Sequence, residues 1–107
     1  MNMVNGVLSN DVLFNSDEKG YGHFYVMDGD KQIAEMKISI SENLITVYHT
    51  EVTSEAKGKG LAKKLFSTMV GYARSNKLKV IALCPFVHAQ FKRHPDEYAD
   101  IWKKTKN

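Results

Sequence analysis

Thirteen residues in the middle of the chain, SEAKGKGLAKKLF (Ser54 to Phe66), decide how its second half folds. The stretch holds two glycines and four lysines, and it then takes on the periodicity of a helix. Apolar residues recur at helical spacing at Leu61, Leu65, Phe66, Met69 and Val70. The stretch therefore predicts a glycine-rich turn followed by the N-terminus of an amphipathic helix.

This predicted turn has the chemistry of an anion site. A helix N-terminus presents unpaired N–H groups and the positive end of the helix dipole. Gly58 and Gly60 remove the side chains that would keep an anion away from the backbone, and the neighbouring lysines add positive charge. The pattern favours a pyrophosphate, although its spacing fits neither a P-loop nor a dinucleotide fingerprint. The alternative interpretation is a solvated turn that binds nothing.

The remaining sequence predicts strands before this helix and a strand and helix after it. Residues 11–14, 23–28, 32–40 and 44–52 read as strands separated by turn sequences, and they predict an antiparallel meander. Residues 78–84 form a continuous apolar run, typical of a strand buried on both faces. Pro85 is suited to begin a short helix over residues 86–94. The order β-β-β-β-α-β-α indicates an α/β (α+β) fold with a mixed, mostly antiparallel sheet and one β-α-β unit.

Length and composition limit the number of domains, the classes of ligand and the expected location of the protein. The chain has 107 residues, so residues 1–107 are expected to form one domain. The net charge of +3 suits an anionic ligand without requiring nucleic acid, which is not the expected partner. Cys84 is the single cysteine, so no internal disulfide can form. With no signal peptide and no apolar run long enough to span a membrane, a cytoplasmic location is expected.

The segment EAKGKGLAKKL after YHTEV resembles the acetyl-CoA motif of the GNAT N-acetyltransferase superfamily, Gln/Arg-x-x-Gly-x-Gly/Ala at a strand-to-helix junction. Gly58 and Gly60 match the motif's glycines, and Glu55 stands where the motif has Gln or Arg. The resemblance is closest to a minimal group that combines HTEV, Gly-x-Gly and Cys-x-aromatic. Here these elements are residues 49–52, 58–60 and 84–86, so the resemblance covers nearly the whole chain.

The resemblance implies a minimal GNAT-like fold. It also implies an N-acetyltransferase that uses acetyl-CoA as the acetyl donor. It implies that Glu51 and Val52 align the pantetheine arm, with the thioester near Val52 and Cys84. The backbone that would hold the pyrophosphate comprises Lys57, Gly58, Lys59, Gly60, Leu61 and Ala62. Phe86 is a further candidate for contact with the coenzyme, although core packing is the plainer interpretation.

The acceptor cannot be inferred in the same way. Larger members of the superfamily carry two helices after the first strand, and these helices wall the acceptor site. The chain leaves no room for them between Phe14 and His23. The acceptor site is therefore expected to be open or built differently, and the acceptor is an unidentified amine on a small molecule or a protein.

Cys84 is the first catalytic candidate. It directly precedes Pro85, which makes it the expected N-cap of the last helix, and a helix N-terminus favours a thiolate. It could accept the acetyl group covalently or protonate the departing coenzyme A. The alternative is a buried cysteine that acts only as a small apolar residue.

His49 and Glu51 are the candidates for the general base. Strand periodicity predicts that Ile45, Val47, His49 and Glu51 share one face of their strand. A histidine is a residue type suited to general base work, and Glu51 is nearer to the glycine-rich turn. Either residue could instead be structural, with Glu51 paired to a lysine of the turn. The histidines have no spacing typical of metal ligands, so no metal is expected.

These observations support two hypotheses of different classes. The first is an acetyl-CoA-dependent N-acetyltransferase that is a monomer or weak dimer and acts without a membrane, by direct transfer or through acetyl-Cys84. The second is a non-catalytic acetyl-CoA or CoA-binding module, or a protein whose basic surface binds RNA or an acidic protein. Convergence of Cys84, Glu51 and His49 on the thioester would favour the enzyme.

Overall fold

A computed structural model describes residues 12–104, and within them the strands and helices follow the predicted order. A short 3-10 turn, Ser54–Ala56, precedes the first helix. The strand predicted over residues 11–14 is found two residues later, and Asp11 lies outside the described residues. The elements are β1 Leu13–Ser16, β2 Tyr21–Asp28, β3 Lys31–Ser41, β4 Leu44–Val52, α1 Leu61–Ser75, β5 Lys79–Ala82 and α2 Pro85–Arg93.

The described strands form one sheet in the order β1-β2-β3-β4-β5. Each of the first three strands pairs antiparallel with the next, because short turns connect them. β4 and β5 pair in parallel and are joined by α1, which makes the predicted β-α-β unit. The mixed, mostly antiparallel sheet predicted from the sequence is therefore confirmed.

Both helices pack against the same face of this sheet. The core holds fully buried side chains from the sheet and from each helix, among them Phe24, Met36, Leu65 and Phe91. On α1, Phe66 contacts Phe91 of α2 edge-on, with ring centroids 5.8 Å apart. Burying a side chain the size of Leu65 contributes roughly 1.5–3 kcal/mol to the free energy of unfolding. The shared core therefore stabilises the packing of both helices on the sheet.

A β-bulge in β4 overturns the predicted alternation of that strand. Lys37 of β3 pairs with His49, but the next residue, Ile38, pairs with Val47, so Tyr48 is an extra residue in β4. An extra residue reverses which face the following side chains point to. Ile45 and Val47 are buried on the core face, but His49 and Glu51 lie on the opposite face. The prediction that these four residues share one face is therefore wrong.

The apolar run over residues 78–84 is not buried on both faces, so the prediction of a strand buried on both faces is wrong. Its strand, β5, is an edge strand of the described sheet, and within it only Val80 is buried. Leu83, just after the strand, is 57% exposed. Because neither described helix covers the second face of the sheet, the outward residues of this run meet solvent.

The segment after α2 closes the outer edge of β5. The Val80 N–H donates to the Ile101 carbonyl over 2.7 Å, and the Lys103 N–H donates to the Val80 carbonyl over 2.9 Å. The segment is also tied to α1, since the Arg74 guanidinium lies 2.9 Å from the Asp100 carboxylate. Hydrogen bonding from Arg74 lowers the pKa of Asp100 from its ordinary value. These contacts fix the C-terminal segment against the sheet.

Candidate functional site

The glycine-rich turn has the geometry expected of an anion site. Gly58 has φ +86° and Gly60 has φ +74°, a conformation that side-chain-bearing residues rarely adopt. Gly60 is the N-cap of α1 and offers no capping side chain. The helix ladder begins where the Lys64 N–H donates to the Gly60 carbonyl over 3.0 Å. The three N–H groups before Lys64 in the helix have no acceptor within it, so they are available to a bound anion.

Two adjoining cavities lie beside this turn. One has a volume of about 390 Å³ and includes Gly58, Gly60 and Ala62 in its lining. The other has about 610 Å³ and includes Glu51 and Thr50. Val52 and Lys57 line both, so the cavities adjoin from the helix N-terminus to the end of β4. The two linings together contain most of the predicted coenzyme-binding residues, namely Glu51, Val52, Lys57, Gly58, Gly60, Leu61 and Ala62.

β4 and β5 separate beyond Val47. Their parallel pairing ends at Val47 and Ala82, although β4 continues to Val52. The Val47 carbonyl accepts hydrogen bonds from both the Leu83 N–H (3.0 Å) and the Cys84 N–H (2.9 Å), which turns the chain away from β4. The bulge at Tyr48 lies at this same point. Backbone polar groups of β4 that face β5 beyond the bulge therefore have no strand partner on that side.

Cys84 lies at this separation. It is the N-cap of α2, with Pro85 as the first helical residue, and its side chain is 2% exposed. Its Sγ atom is 3.3 Å from Oγ1 of Thr50, which lines the larger cavity. The linings of the two cavities, all within residues 12–104, do not include Cys84 or Phe86. Thr50 is thus the described link between the thiol and the larger cavity.

His49 and Glu51 form a pair on the open face of the sheet, which is the face that neither described helix covers. The His49 Nε2 atom lies 3.1 Å from the Glu51 carboxylate, and the side chains are 53% and 65% exposed. A neutral imidazole keeps a lone pair on one ring nitrogen and can accept a proton there, and the nearby carboxylate would stabilise the resulting cation. The structure therefore brings the two base candidates together, but on the face opposite the core that holds Cys84.

Sequence reasoning missed a second His–Glu pair on the same face. The His23 Nδ1 atom lies 2.7 Å from the Glu35 carboxylate, and these side chains are only 22% and 17% exposed. Glu35 is also the residue of β3 that pairs with Glu51. The two glutamates occupy neighbouring strands, so only the strand register reveals that they lie side by side. Their strands were predicted, but the register was not.

Phe86 is half-buried and contacts Phe66 edge-on with ring centroids 6.2 Å apart, as expected of a packing residue.

No group of three or more His, Cys, Asp or Glu side chains within residues 12–104 is placed to hold a metal ion. Neither described helix has both the length and the hydropathy required to cross a bilayer.

A known protein family and several solved structures are similar to this chain. The sequence profile of the GCN5-related N-acetyltransferase family matches residues 23–101. A GCN5-like protein from Staphylococcus aureus, solved by NMR, is 31% identical with a TM-score of 0.65. That match covers 94% of this chain and 95% of the other. No curated protein matches the chain.

Two more distant structures share the fold. A ribosomal-protein-alanine N-acetyltransferase from Brucella melitensis is 16% identical over 84% of this chain and 67% of its own, with a TM-score of 0.58. An aminoglycoside acetyltransferase from an uncultured soil metagenomic sample is 12% identical over 85% of this chain and 64% of its own, also with a TM-score of 0.58. The match of the family profile to most of the chain confirms the predicted enzyme class: the protein belongs to the GCN5-related N-acetyltransferase family.

Proposed function

We propose that the protein is an acetyl-CoA-dependent N-acetyltransferase that acetylates an amine approaching from the open face of the sheet. The observation that carries the proposal is the pair of adjoining cavities, which extends from the helix N-terminus to the separation of β4 and β5. When bound, acetyl-CoA supplies an activated thioester. The residues of this chain bind, orient and exchange protons with the reactants.

The glycine-rich turn and the N-terminus of α1 form a cradle that has the room and the charge for a pyrophosphate. A Cβ atom built on Gly58 or Gly60 would meet no other atom within 4 Å, so the space beside the bare backbone is open. The free N–H groups at the start of α1 and the charge of Lys57 and Lys63 all favour an anion there. Ordered phosphate oxygens would complete these hydrogen bonds without displacing a side chain.

We assign the acid and the base to opposite faces of the sheet. Cys84, in contact with Thr50, would protonate the departing thiolate or carry the acetyl group. The His49–Glu51 pair would accept the proton of the amine on the open face. Because β4 and β5 part here, both groups would act on one thioester without being neighbours.

The non-catalytic binding module remains the second candidate, on one observation. His49 and Glu51 do not converge with Cys84 on the same face, and they are largely exposed. A module of this kind would bind acetyl-CoA at the same loop but would release no CoA in the presence of amines. The two candidates therefore differ in turnover and not in binding.

Titration of the labelled protein with acetyl-CoA, followed by two-dimensional amide NMR, tests the cofactor site. We expect the largest shifts at Val52, across residues 57–62 and at Cys84, because ring currents and new hydrogen bonds act on these amides. The turn residue Gly29, at the β2–β3 connection, is the internal control and should not shift. Absence of shifts at millimolar ligand would mean that the glycine-rich turn binds no coenzyme, and both candidates would fail.

Substitution of Glu51 by glutamine tests the base. We expect it to lower turnover about a hundredfold with a simple alkyl primary amine, because the neutral amide can no longer stabilise a protonated His49. Glu42→Gln makes the same change at an exposed glutamate that lines neither cavity and should alter turnover less than about threefold. The rate is measured as release of the CoA thiol. Glu35→Gln changes the neighbouring His–Glu pair, whose glutamate also lines the larger cavity, and a larger loss in that variant would transfer the role to His23 and Glu35.

A further inference from the structure

A separate cavity of about 490 Å³ lies between α2 and the C-terminal segment, beyond the edge of the sheet formed by β5. It shares no lining residue with the two cavities beside the glycine-rich turn. We infer that it binds a nucleotide-like ligand, in which a phosphate is joined to a planar base. This inference does not depend on the proposed acetyl transfer.

Every ionisable side chain that lines this cavity within the described residues is basic. Lys92, Lys103, Lys104 and His88 come from two different segments and meet around one space. Lys92 lies in the last turn of α2, where a cation is favourable against the helix dipole without any ligand. That explanation does not extend to Lys103 and Lys104, which lie outside a helix. Three ammonium groups around one cavity repel one another, and a bound anion would relieve this.

One carboxylate of the same C-terminal segment is engaged away from the cavity. Asp100 accepts hydrogen bonds from the Arg74 guanidinium of α1, and Arg74 also donates to the backbone carbonyl of Glu97. Lys103 and Lys104, which follow Asp100 in the sequence, line the cavity instead.

Trp102 gives the cavity a firmly held aromatic wall. Its backbone pairs with Val80 of β5, and its ring lies 5.5 Å from the ring of Phe91 in the core. Lys104 places its Nζ atom 4.9 Å from the centroid of the indole ring. The half-buried ring is thus held in place with a cation over one face, and a stacking base would take the position of the Lys104 ammonium.

A base with a phosphate matches this combination. A planar ring stacks on an indole and gains about 1–3 kcal/mol, and a phosphate pairs with the surrounding lysines. A cavity of several hundred Å³ is of the size that holds small ligands. The same chemistry is offered by a free mononucleotide and by single-stranded RNA. A purely acidic peptide offers the charge without the ring.

The chain contains one tryptophan, so fluorescence excited at wavelengths that tryptophan absorbs and tyrosine does not reports on this cavity. We expect AMP to change the fluorescence of the full chain in a saturable way. Adenosine and ribose 5-phosphate each supply half of the chemistry and should bind at least about tenfold more weakly. An oligoadenylate that binds much more tightly than AMP would identify RNA as the source, and equal affinity would identify the mononucleotide.

Charge reversal provides the matched variants. Lys92→Glu and Lys103→Glu change exposed side chains and should each lower the affinity for AMP about tenfold. Lys19→Glu makes the same change in net charge at the opposite edge of the sheet and should leave it unchanged. Three results would overturn the inference: no saturable effect of AMP, an equal effect of polyglutamate, or loss of the effect in Gly58→Glu. The last result would place AMP in the cofactor cradle.

Failure here and failure of the proposed function give different results. If the cofactor proposal alone is wrong, acetyl-CoA shifts no amide of residues 57–62, but AMP still changes the fluorescence of Trp102. If this inference alone is wrong, the amides shift and the fluorescence does not respond to AMP.

Discussion

Replacement of Gly58 by glutamate should lower the affinity for acetyl-CoA at least about a hundredfold and leave the fold intact. The residue lines the cavity at the N-terminus of α1, and a carboxylate placed there would face the pyrophosphate. Two like charges about 4 Å apart repel by about 1 kcal/mol in water and by several times more near a protein surface. The side chain would also occupy the space that the phosphate oxygens need. Isothermal titration calorimetry with acetyl-CoA measures the loss.

Gly29→Glu is the matched control for this variant. Gly29 also has a positive φ, +62°, and a Cβ atom built on it would meet no atom within 4 Å. Both substitutions therefore add the same charge and force a side chain into the left-handed region, at about 1–2 kcal/mol of stability. Equal melting temperatures with different affinities would assign the loss to the cradle. Unchanged affinity in Gly58→Glu would contradict the cofactor site.

The parts of the fold that follow from local patterns were predictable from the sequence. The strand predicted over residues 44–52 matches β4, and α1 begins at Leu61 as its apolar periodicity indicates. The glycines that precede α1 do adopt the left-handed conformation that their position suggests. Each of these features depends on neighbouring residues in the chain, which is why the sequence alone was sufficient.

The features that depend on pairing between strands could not be predicted. The bulge at Tyr48 has no signature in LITVYHTEV, yet it moves His49 and Glu51 to the open face. The exposed side of β5 likewise depends on which faces the helices cover, and both helices cover the same one. The pair formed by His23 and Glu35 needs the register of β2 against β3. Register and layer arrangement are properties of the assembled sheet.

The substitution Cys84→Ala is the second change for which a large effect is expected, on turnover and not on binding. If the thiol protonates the departing coenzyme or carries the acetyl group, its loss should slow transfer about a hundredfold or more. The affinity for acetyl-CoA should change less than about threefold, because Cys84 does not line either cavity. Removing one buried sulfur atom should cost about 1 kcal/mol of stability. Calorimetry and the release of CoA thiol measure the two quantities separately.

Serine at the same position distinguishes chemistry from packing. Cys84→Ser keeps most of the buried volume and a hydroxyl within reach of Thr50, so a packing role would be restored by serine but not by alanine. A nucleophilic role would not be restored, because a hydroxyl is far harder to ionise than a thiol. Mass spectrometry of the wild-type protein, quenched after mixing with acetyl-CoA, then separates the remaining routes. An acetyl group on Cys84 supports the covalent route, and slow variants without such an adduct support direct transfer with Cys84 as the acid. Full activity of Cys84→Ala would make the thiol a packing partner of Thr50, and the proton for the departing thiolate would have to come from another group.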